Sequence, residues 1–354
     1  MSAYLTVRDP DEVREVLRRS EEFLPTNALV SVTPLSAEAR RILSRARFAL
    51  PPILASATGE QHRTVRRLVA GFFTPAKVGA VFPHIVDLTR HRARLAAPAL
   101  ADGPIDLVRA VARHVPPAIM ESLTGIANPD LDTLNRWSKD SLELFWGWPD
   151  PPRQRELAHS AAEFYTWLRE TVDAHPDDSL FGTLQRAGLT TTEICSLGYF
   201  LLIAGQETTT QLIGVAYYRA LQTPRLWATL AAGGSASGFV RGILAADSSV
   251  PAWRRTAASA TTLGGTAIPA GAEILLELTG HHPPDAAPTA YTLAFGHGVH
   301  RCLGARLAEL EATTVLEQTA RALPHLALHG PAPAWQRLLS FRTPTTVLVT
   351  ASSP

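Results

Sequence analysis

The residues best suited to chemistry lie together, in Phe295-Gly296-His297-Gly298-Val299-His300-Arg301-Cys302-Leu303-Gly304. Three glycines punctuate this short loop, which runs into a helical pattern from Ala305 to about Ala322. Glycine at such positions lets backbone approach something flat and bulky. Cys302 precedes the helix start, where the dipole and free N–H groups favour a thiolate. A thiolate is a soft, strong ligand for iron. Two other uses stay open. A lone cysteine is most often just buried, although the spacing of Phe, Gly, His and Cys speaks against that here. A nucleophile–base pair of Cys302 and His300 is the third use, but no positioned acid or oxyanion-hole motif accompanies it.

A second segment is Ala204-Gly205-Gln206-Glu207-Thr208-Thr209. It falls inside a helical pattern that opens on the capping box Thr190-Thr191-Thr192-Glu193 and runs to about Leu221. Such a helix would be on the order of 45 Å long. Glycine inside a helix costs about 1 kcal/mol, and threonine is β-branched and a poor helix former. Rules broken in mid-core suggest a functional site. A kinked core helix whose threonines bond to backbone carbonyls is equally open. His62 and Arg66 are four apart on a predicted helix and can face one anion. Arg255, in Trp253-Arg254-Arg255-Thr256-Ala257, has the fork that suits a carboxylate. Of 33 basic residues only Lys77 and Lys139 are lysines, leaving 31 arginines, so a solvated surface role competes for any one of them.

The glycine–cysteine loop matches the pattern Phe-Gly-x-Gly-x-His-x-Cys-x-Gly at Phe295, Gly296, Gly298, His300, Cys302 and Gly304. With the other segments in the expected order, the sequence resembles the cytochrome P450 family over nearly its whole length. The resemblance implies haem b (iron protoporphyrin IX), with Cys302 as axial iron ligand and Phe295 shielding the sulfur. His62, Arg66, Arg255 and His300 would hold the propionates. Ala204 and Gly205 would lie against the haem, the glycine leaving a groove for dioxygen. Glu207 and Thr208 would be the catalytic proton-delivery pair. The implied activity is a haem-thiolate monooxygenase that hydroxylates or epoxidises a small organic substrate, in specialised-metabolite biosynthesis. A ferredoxin-type partner would dock on a basic face of Arg63, Arg67, Arg301 and Arg306. The alternative is a haem protein running a redox-neutral or peroxide-dependent reaction, or a catalytically impaired partner protein.

Three departures accompany the match. The family's first helix and first strand have no counterpart before Met1. The usual Glu-x-x-Arg is replaced by Gly242 and Ala245. The following meander is cut to His281–Pro288. Stranding one partner of a buried ion pair costs about 3–5 kcal/mol, whereas removing the whole set is near neutral. The joint loss therefore reads as coherent trimming. Packing of Trp253, Tyr291 and Phe295 is the expected replacement brace.

The elements that must position these residues are mostly helical. Asp9-Pro10-Asp11-Glu12 starts a helix with Val13, Val16 and Leu17 inward. Further patterns cover about Gln61–Phe73, Pro83–Ala96, Leu107–Thr124, Pro129–Phe145 and Arg153–Ala174. Leu24–Leu54 reads as a long loop bordering a binding site, and Ala231–Gly238 as a connector. Strands are expected at Thr261–Ile268 around Gly264-Gly265, at Glu273–Leu278 and at Thr345–Thr350. The substrate pocket should draw on Leu24–Leu54, Leu144–Tyr165 and Phe200–Thr208, including Phe145, Trp146, Trp148 and Phe164.

This predicts one domain over residues 1–354, mainly α with a small β region: a P450-like fold, N-terminally shortened and with the meander trimmed. Hydrophobic residues make up 46% and charged residues 18%, which excludes disorder and coiled coil. A net charge of +1 argues against a nucleic-acid partner. The apolar run Ile194–Ala204 stops well short of the roughly 20 residues that span a bilayer, so no membrane partner is expected. Two cysteines, Cys195 and Cys302, and no signal peptide suggest a cytoplasmic protein.

Overall fold

The computed structural model describes residues 4–174, 176–280 and 290–352, with backbone only for 290–292. In chain order the helices are α1 (Pro10–Arg18), α2 (Ala37–Arg45), α3 (Gly59–Ala70), α4 (Pro75–Ala80), α5 (Phe82–Ala96), α6 (Ala99–Asp102), α7 (Leu107–Ala110), α8 (Val115–Thr124), α9 (Leu131–Trp146), α10 (Pro151–Ala174), α11 (Leu180–Arg186), α12 (Thr191–Leu221), α13 (Pro224–Ala231), α14 (Ser237–Ala246) and α15 (Ala305–Ala322). The strands are β1 (Leu5–Val7), β2 (Phe23–Leu24), β3 (Ile105–Asp106), β4 (Ala252–Ala257), β5 (Thr261–Leu263), β6 (Thr266–Ile268), β7 (Glu273–Glu277), β8 (Leu326–Leu328), β9 (Trp335–Arg337), β10 (Arg342–Pro344) and β11 (Leu348–Ala351).

Caps written in the sequence set several of these starts. The Asp9 carboxylate accepts from the N–H groups of Asp11 and Glu12 at 2.9 and 3.1 Å, and α1 buries Val13, Val16 and Leu17 as expected. The capping box of α12 is complete. Glu193 N–H donates to Thr190 Oγ1 at 3.3 Å, and Thr190 N–H donates to the Glu193 carboxylate at 2.9 Å. The helix then runs 31 residues through the core, buried almost all round.

Three local expectations change. The loop Leu24–Leu54 contains α2, capped by Ser36, whose oxygen accepts from Ala39 N–H. It buries only Ala39 and Leu43 in an arginine-rich stretch, too thin an apolar stripe to read by period. The span 107–124 is not one helix. Pro116 and Pro117 lack N–H donors, so α8 starts afresh after a 3-10 turn at Ala112–His114. The connector shrinks because α13 and α14 flank it closely.

One sheet has the order β1-β7-β4-β2, with β1 parallel to β7 and the other pairs antiparallel. Gly264 and Gly265, at φ 53° and 78°, make the two-residue turn between β5 and β6. The remaining sheets are β3-β11-β8 and β9-β10. Among the described residues no single helix is long and apolar enough to cross a membrane.

The region missing its Glu-x-x-Arg is held by other charges. A side chain at Gly242 would meet nothing within 4 Å, and Ala245 is buried. Arg241 on α14 donates to Glu309 on α15 at 2.6 Å. Asp247, just after α14, pairs with Arg219 of α12 at 2.7 Å and Arg342 of β10 at 2.9 Å. Of the expected aromatic brace, the part between Trp253 and Phe295 does not form. Trp253 packs on Trp146, Phe200 and Phe341, and no ring contact joins it to Phe295 among the described residues. The Tyr291 side chain and the segment His281–Pro288 lie outside the described residues.

Candidate active site

A deep cavity opens between the cysteine loop, α12, α3 and β4. Its volume is about 260 Å³.

The cysteine loop forms one wall. Two 3-10 turns, Ala290–Phe295 and Gly298–His300, fold it back so that Cys302 N–H donates to the Phe295 carbonyl at 2.8 Å. Gly298 is required twice over: its φ is 68°, and a Cβ there would lie 2.8 Å from the Leu17 carbonyl of α1. Phe295, Gly296, His300, Cys302 and Gly304 all line the cavity. The Cys302 thiol is open to the cavity interior while protein encloses it. Burial pushes its pKa up, against the opposing pull of the Gly304 N–H, Arg66 and Arg301.

A cluster of basic side chains forms the next wall. His62 and Arg66 project from α3, Arg255 from β4 and His300 from the loop, and all four line the cavity. The imidazoles of His62 and His300 lie 4.3 Å apart, centre to centre. His300 Nε2 sits 2.8 Å from the Ala57 carbonyl, leaving Nδ1 without a partner. Arg66 donates to the Arg301 carbonyl at 2.5 Å. Arg255 is 2% exposed and donates to the Arg254 carbonyl at 2.7 Å, but its Nε has no acceptor. His62 Nε2 is likewise unpartnered. Burial alone lowers the Arg255 pKa to about 10. Burial, then the charges of Arg255, His62 and Arg66, lower His300 to about 4, against the Ala57 hydrogen bond. Burial and the neighbouring Arg66 and Arg63 lower His62, with Glu21 opposing.

No aspartate or glutamate among the described residues lines this cavity. Buried cations without counter-ions are costly, so the cluster suits a ligand that brings its own anions. A flat metal chelate with carboxylate arms fits all three features: a thiol for the metal, a glycine loop against its face and basic side chains for its acids.

Helix α12 forms the opposite wall with Ala204, Gly205, Thr208 and Thr209. Thr208 Oγ1 donates to the Ala204 carbonyl at 2.6 Å, and Ser249 Oγ donates to the Thr208 carbonyl at 3.0 Å. The space beside Gly205 is filled rather than open: a Cβ there would lie 2.6 Å from Met120 Cε. Glu207 is buried but does not line the cavity; its carboxylate accepts from Gln211 Nε2 at 3.1 Å. Burial raises its pKa, opposed by Lys139 and Gln211.

The structure thus gathers every expected site residue around one cavity except Glu207. Of the expected pocket region, Trp146 lines the cavity, while Phe145 and Phe164 stack elsewhere and Trp148 is 52% exposed. Sequence reasoning missed Met120 and Phe341, which carry no local motif. It also missed Glu311 of α15, fully buried with neither oxygen partnered.

No protein-family model matches the chain. Among curated proteins, it is 32% identical over 310 residues to the cytochrome P450 monooxygenase PikC of Streptomyces venezuelae, covering 81% of this chain and 72% of that one. It is 30% identical over 305 residues to the mycinamicin IV hydroxylase/epoxidase of Micromonospora griseorubida, covering 78% and 74%. Among solved structures, cytochrome P450 CREJ in complex with (4-ethylphenyl) dihydrogen phosphate superposes with a TM-score of 0.90 at 29% identity, covering 99% of this chain and 92% of that one. Shared sequence over most of such relatives, and a shared fold over nearly the whole chain, show that this chain belongs to the cytochrome P450 family of haem monooxygenases.

Proposed function

We propose that the protein holds haem b through Cys302 and inserts oxygen into a small organic substrate by hydroxylation or epoxidation, as a step in specialised metabolism. The observation that carries this is the sharing of one cavity by the Cys302 thiol, the uncompensated basic cluster and Thr208. The hydroxylase and epoxidase activities in the relatives' names support the reaction class.

When bound, the haem supplies the iron centre at which dioxygen is reduced. The chain's residues do the rest. Cys302 would hold the iron, as a thiolate whose ionisation the metal's charge would favour over the protonated form that burial favours. The Gly304 N–H then stabilises the thiolate. Arg66 and Arg255 would neutralise the propionates, and the unpartnered ring nitrogens of His62 and His300 would donate to them once protonated, which a neighbouring carboxylate favours. Thr208 presents its oxygen on the cavity wall, where it would accept a proton and pass on its own once its hydrogen bond to the Ala204 carbonyl is released. Glu207, whose raised pKa keeps it protonated longer than an ordinary carboxyl, serves as the buried proton source. Its side chain must swing from Gln211 to reach the Thr208 hydroxyl. Electrons arrive from a ferredoxin-type partner at a face where Arg67, Arg301 and Arg306 are exposed. Arg63 contributes less there because Glu60 pairs with it at 2.8 Å.

The position of Glu207 away from the cavity favours a second reading, a redox-neutral reaction that needs no proton delivery to oxygen. Turnover of wild type and Thr208→Ala with reductant and dioxygen separates the two. Oxygen insertion by wild type, with product per reductant falling several-fold in the variant, supports the monooxygenase. Equal product from both proteins without oxygen or reductant replaces it with the redox-neutral reading.

A further inference from the structure

We infer that the substrate is an uncharged molecule with a flat aromatic ring, seated against a wall made by Trp146, Trp253 and Phe341. This rests on the cavity being the oxygenase active site proposed above. Strand β4 explains how this wall is placed. Its alternation puts Trp253 and Arg255 on one face, about 7 Å apart, and both line the cavity. Trp253 therefore stands beside the basic cluster and turns the same wall of the cavity toward the rings of Trp146 and Phe341.

The aromatic wall is built in advance of any ligand. Trp146 and Phe341 meet edge to face at 5.1 Å, Trp253 and Phe341 at 6.2 Å, and the two indoles tilt together at 6.1 Å. Phe200 extends the wall, 6.3 Å from Trp253. It stands four residues before Ala204 on α12, hence one turn from the Ala204–Thr208 segment on the same face. Rings that hold each other in offset and T-shaped contact leave little side-chain freedom to lose when a further ring joins them.

The polar inventory excludes charge. No carboxylate among the described lining residues could hold an ammonium. Of the lining cations, His62, Arg66, Arg255 and His300 belong to the cluster assigned to the propionates, and Arg301 lies exposed on the cysteine loop. The hydroxyl donors of Thr208 and Ser249 are committed to backbone carbonyls. A phosphate such as that of (4-ethylphenyl) dihydrogen phosphate, bound in the similar structure, would find only the hydroxyls of Thr209 and Ser248 beyond the basic residues of the propionate cluster and the cysteine loop.

The test is an optical binding titration of the haem-loaded protein with four matched probes: 4-ethylphenol, 4-ethylcyclohexanol, 4-ethylbenzylamine and (4-ethylphenyl) dihydrogen phosphate. We expect 4-ethylphenol to bind about three- to tenfold more tightly than its saturated counterpart, and about tenfold or more above either charged probe. Phe341→Leu and Trp253→Leu keep apolar bulk but remove a ring face, and each should draw the aromatic-to-saturated ratio toward one. Equal affinity for the two neutral probes, tighter binding of a charged probe, or no binding of 4-ethylphenol overturns the inference. The carbon monoxide spectrum of the same sample separates the failures. An intact thiolate band with the wrong ratios sinks this inference alone; its absence from wild type sinks the oxygenase reading and this inference with it.

Discussion

Arg255 carries a full positive charge into a site where it is 2% exposed and meets no carboxylate. Such a charge is tolerated only if something else in the working protein balances it. The two states of the protein should therefore respond oppositely to its removal. In Arg255→Leu the haem-free protein should be as stable as wild type or more so, by up to about 1–3 kcal/mol. The haem-loaded variant should lose haem to an acceptor protein roughly tenfold faster. A variant that destabilises the haem-free protein and keeps haem as firmly as wild type would remove Arg255 from the propionate set. At this scale the sequence was informative where motif and geometry coincide. His62 and Arg66 could be paired by helical spacing, and Cys302 by its place before a helix. Arg255 could not be told from 30 other arginines without the family pattern. Met120 beside Gly205, and Glu207 turned toward Gln211, depend on which way side chains pack across helices, which spacing does not fix.

Elements carry two titratable groups, one half-buried and one buried, that the site does not use. His114 stands at the N-terminus of α8, where its Nε2 has no partner and burial, then Arg92 and Arg113, lower its pKa to about 4, with Arg109 and Asp132 opposing. Its folded value lies below the ordinary 6.5, so the unfolded chain binds more protons between the two. The stability it contributes is present above pH 6.5 and is lost as pH falls toward about 4. The wild-type melting temperature should drop over that window, and His114→Asn should flatten the drop. An unchanged slope would assign the dependence elsewhere.

Glu311 behaves in the opposite sense. Burial raises its pKa well above 4.5, so its contribution is present below that value and is lost as pH rises through the folded pKa. Glu311→Gln should raise stability at pH 8 by about 1 kcal/mol or more and change little at pH 5. A loss at pH 8 would mean that the carboxylate has a partner in the working enzyme. The long elements were legible because their signals are redundant: α12 has a capping box and a core-length apolar run. The short α2, α13 and α14 bury a few side chains each and owe their helicity to packing, which no local pattern records.

Across the whole molecule, the trimmed side beneath the cavity is tied by Arg241–Glu309 and the Arg219–Asp247–Arg342 cluster instead of a buried Glu-Arg pair. These ties are partly exposed, so salt should loosen that region more than it loosens a buried pair. Arg301 and Arg306, on and just after the cysteine loop, are exposed to solvent. Reduction by an acidic ferredoxin should be several-fold slower in Arg301→Gln/Arg306→Gln at low salt. The difference should fade once the screening length falls to about 3 Å near 1 M salt. A rate insensitive to both changes would move the docking face elsewhere.

The central claim is that the Cys302 thiol and the basic cluster together hold a thiolate-ligated haem. The most direct measurement is the absorption spectrum of the reduced, haem-loaded protein under carbon monoxide, for wild type and Cys302→Ala. The account predicts the red-shifted thiolate band in wild type and its loss in the variant. Wild-type protein that contains stoichiometric haem yet shows no such band, or a variant that keeps it, would contradict the account.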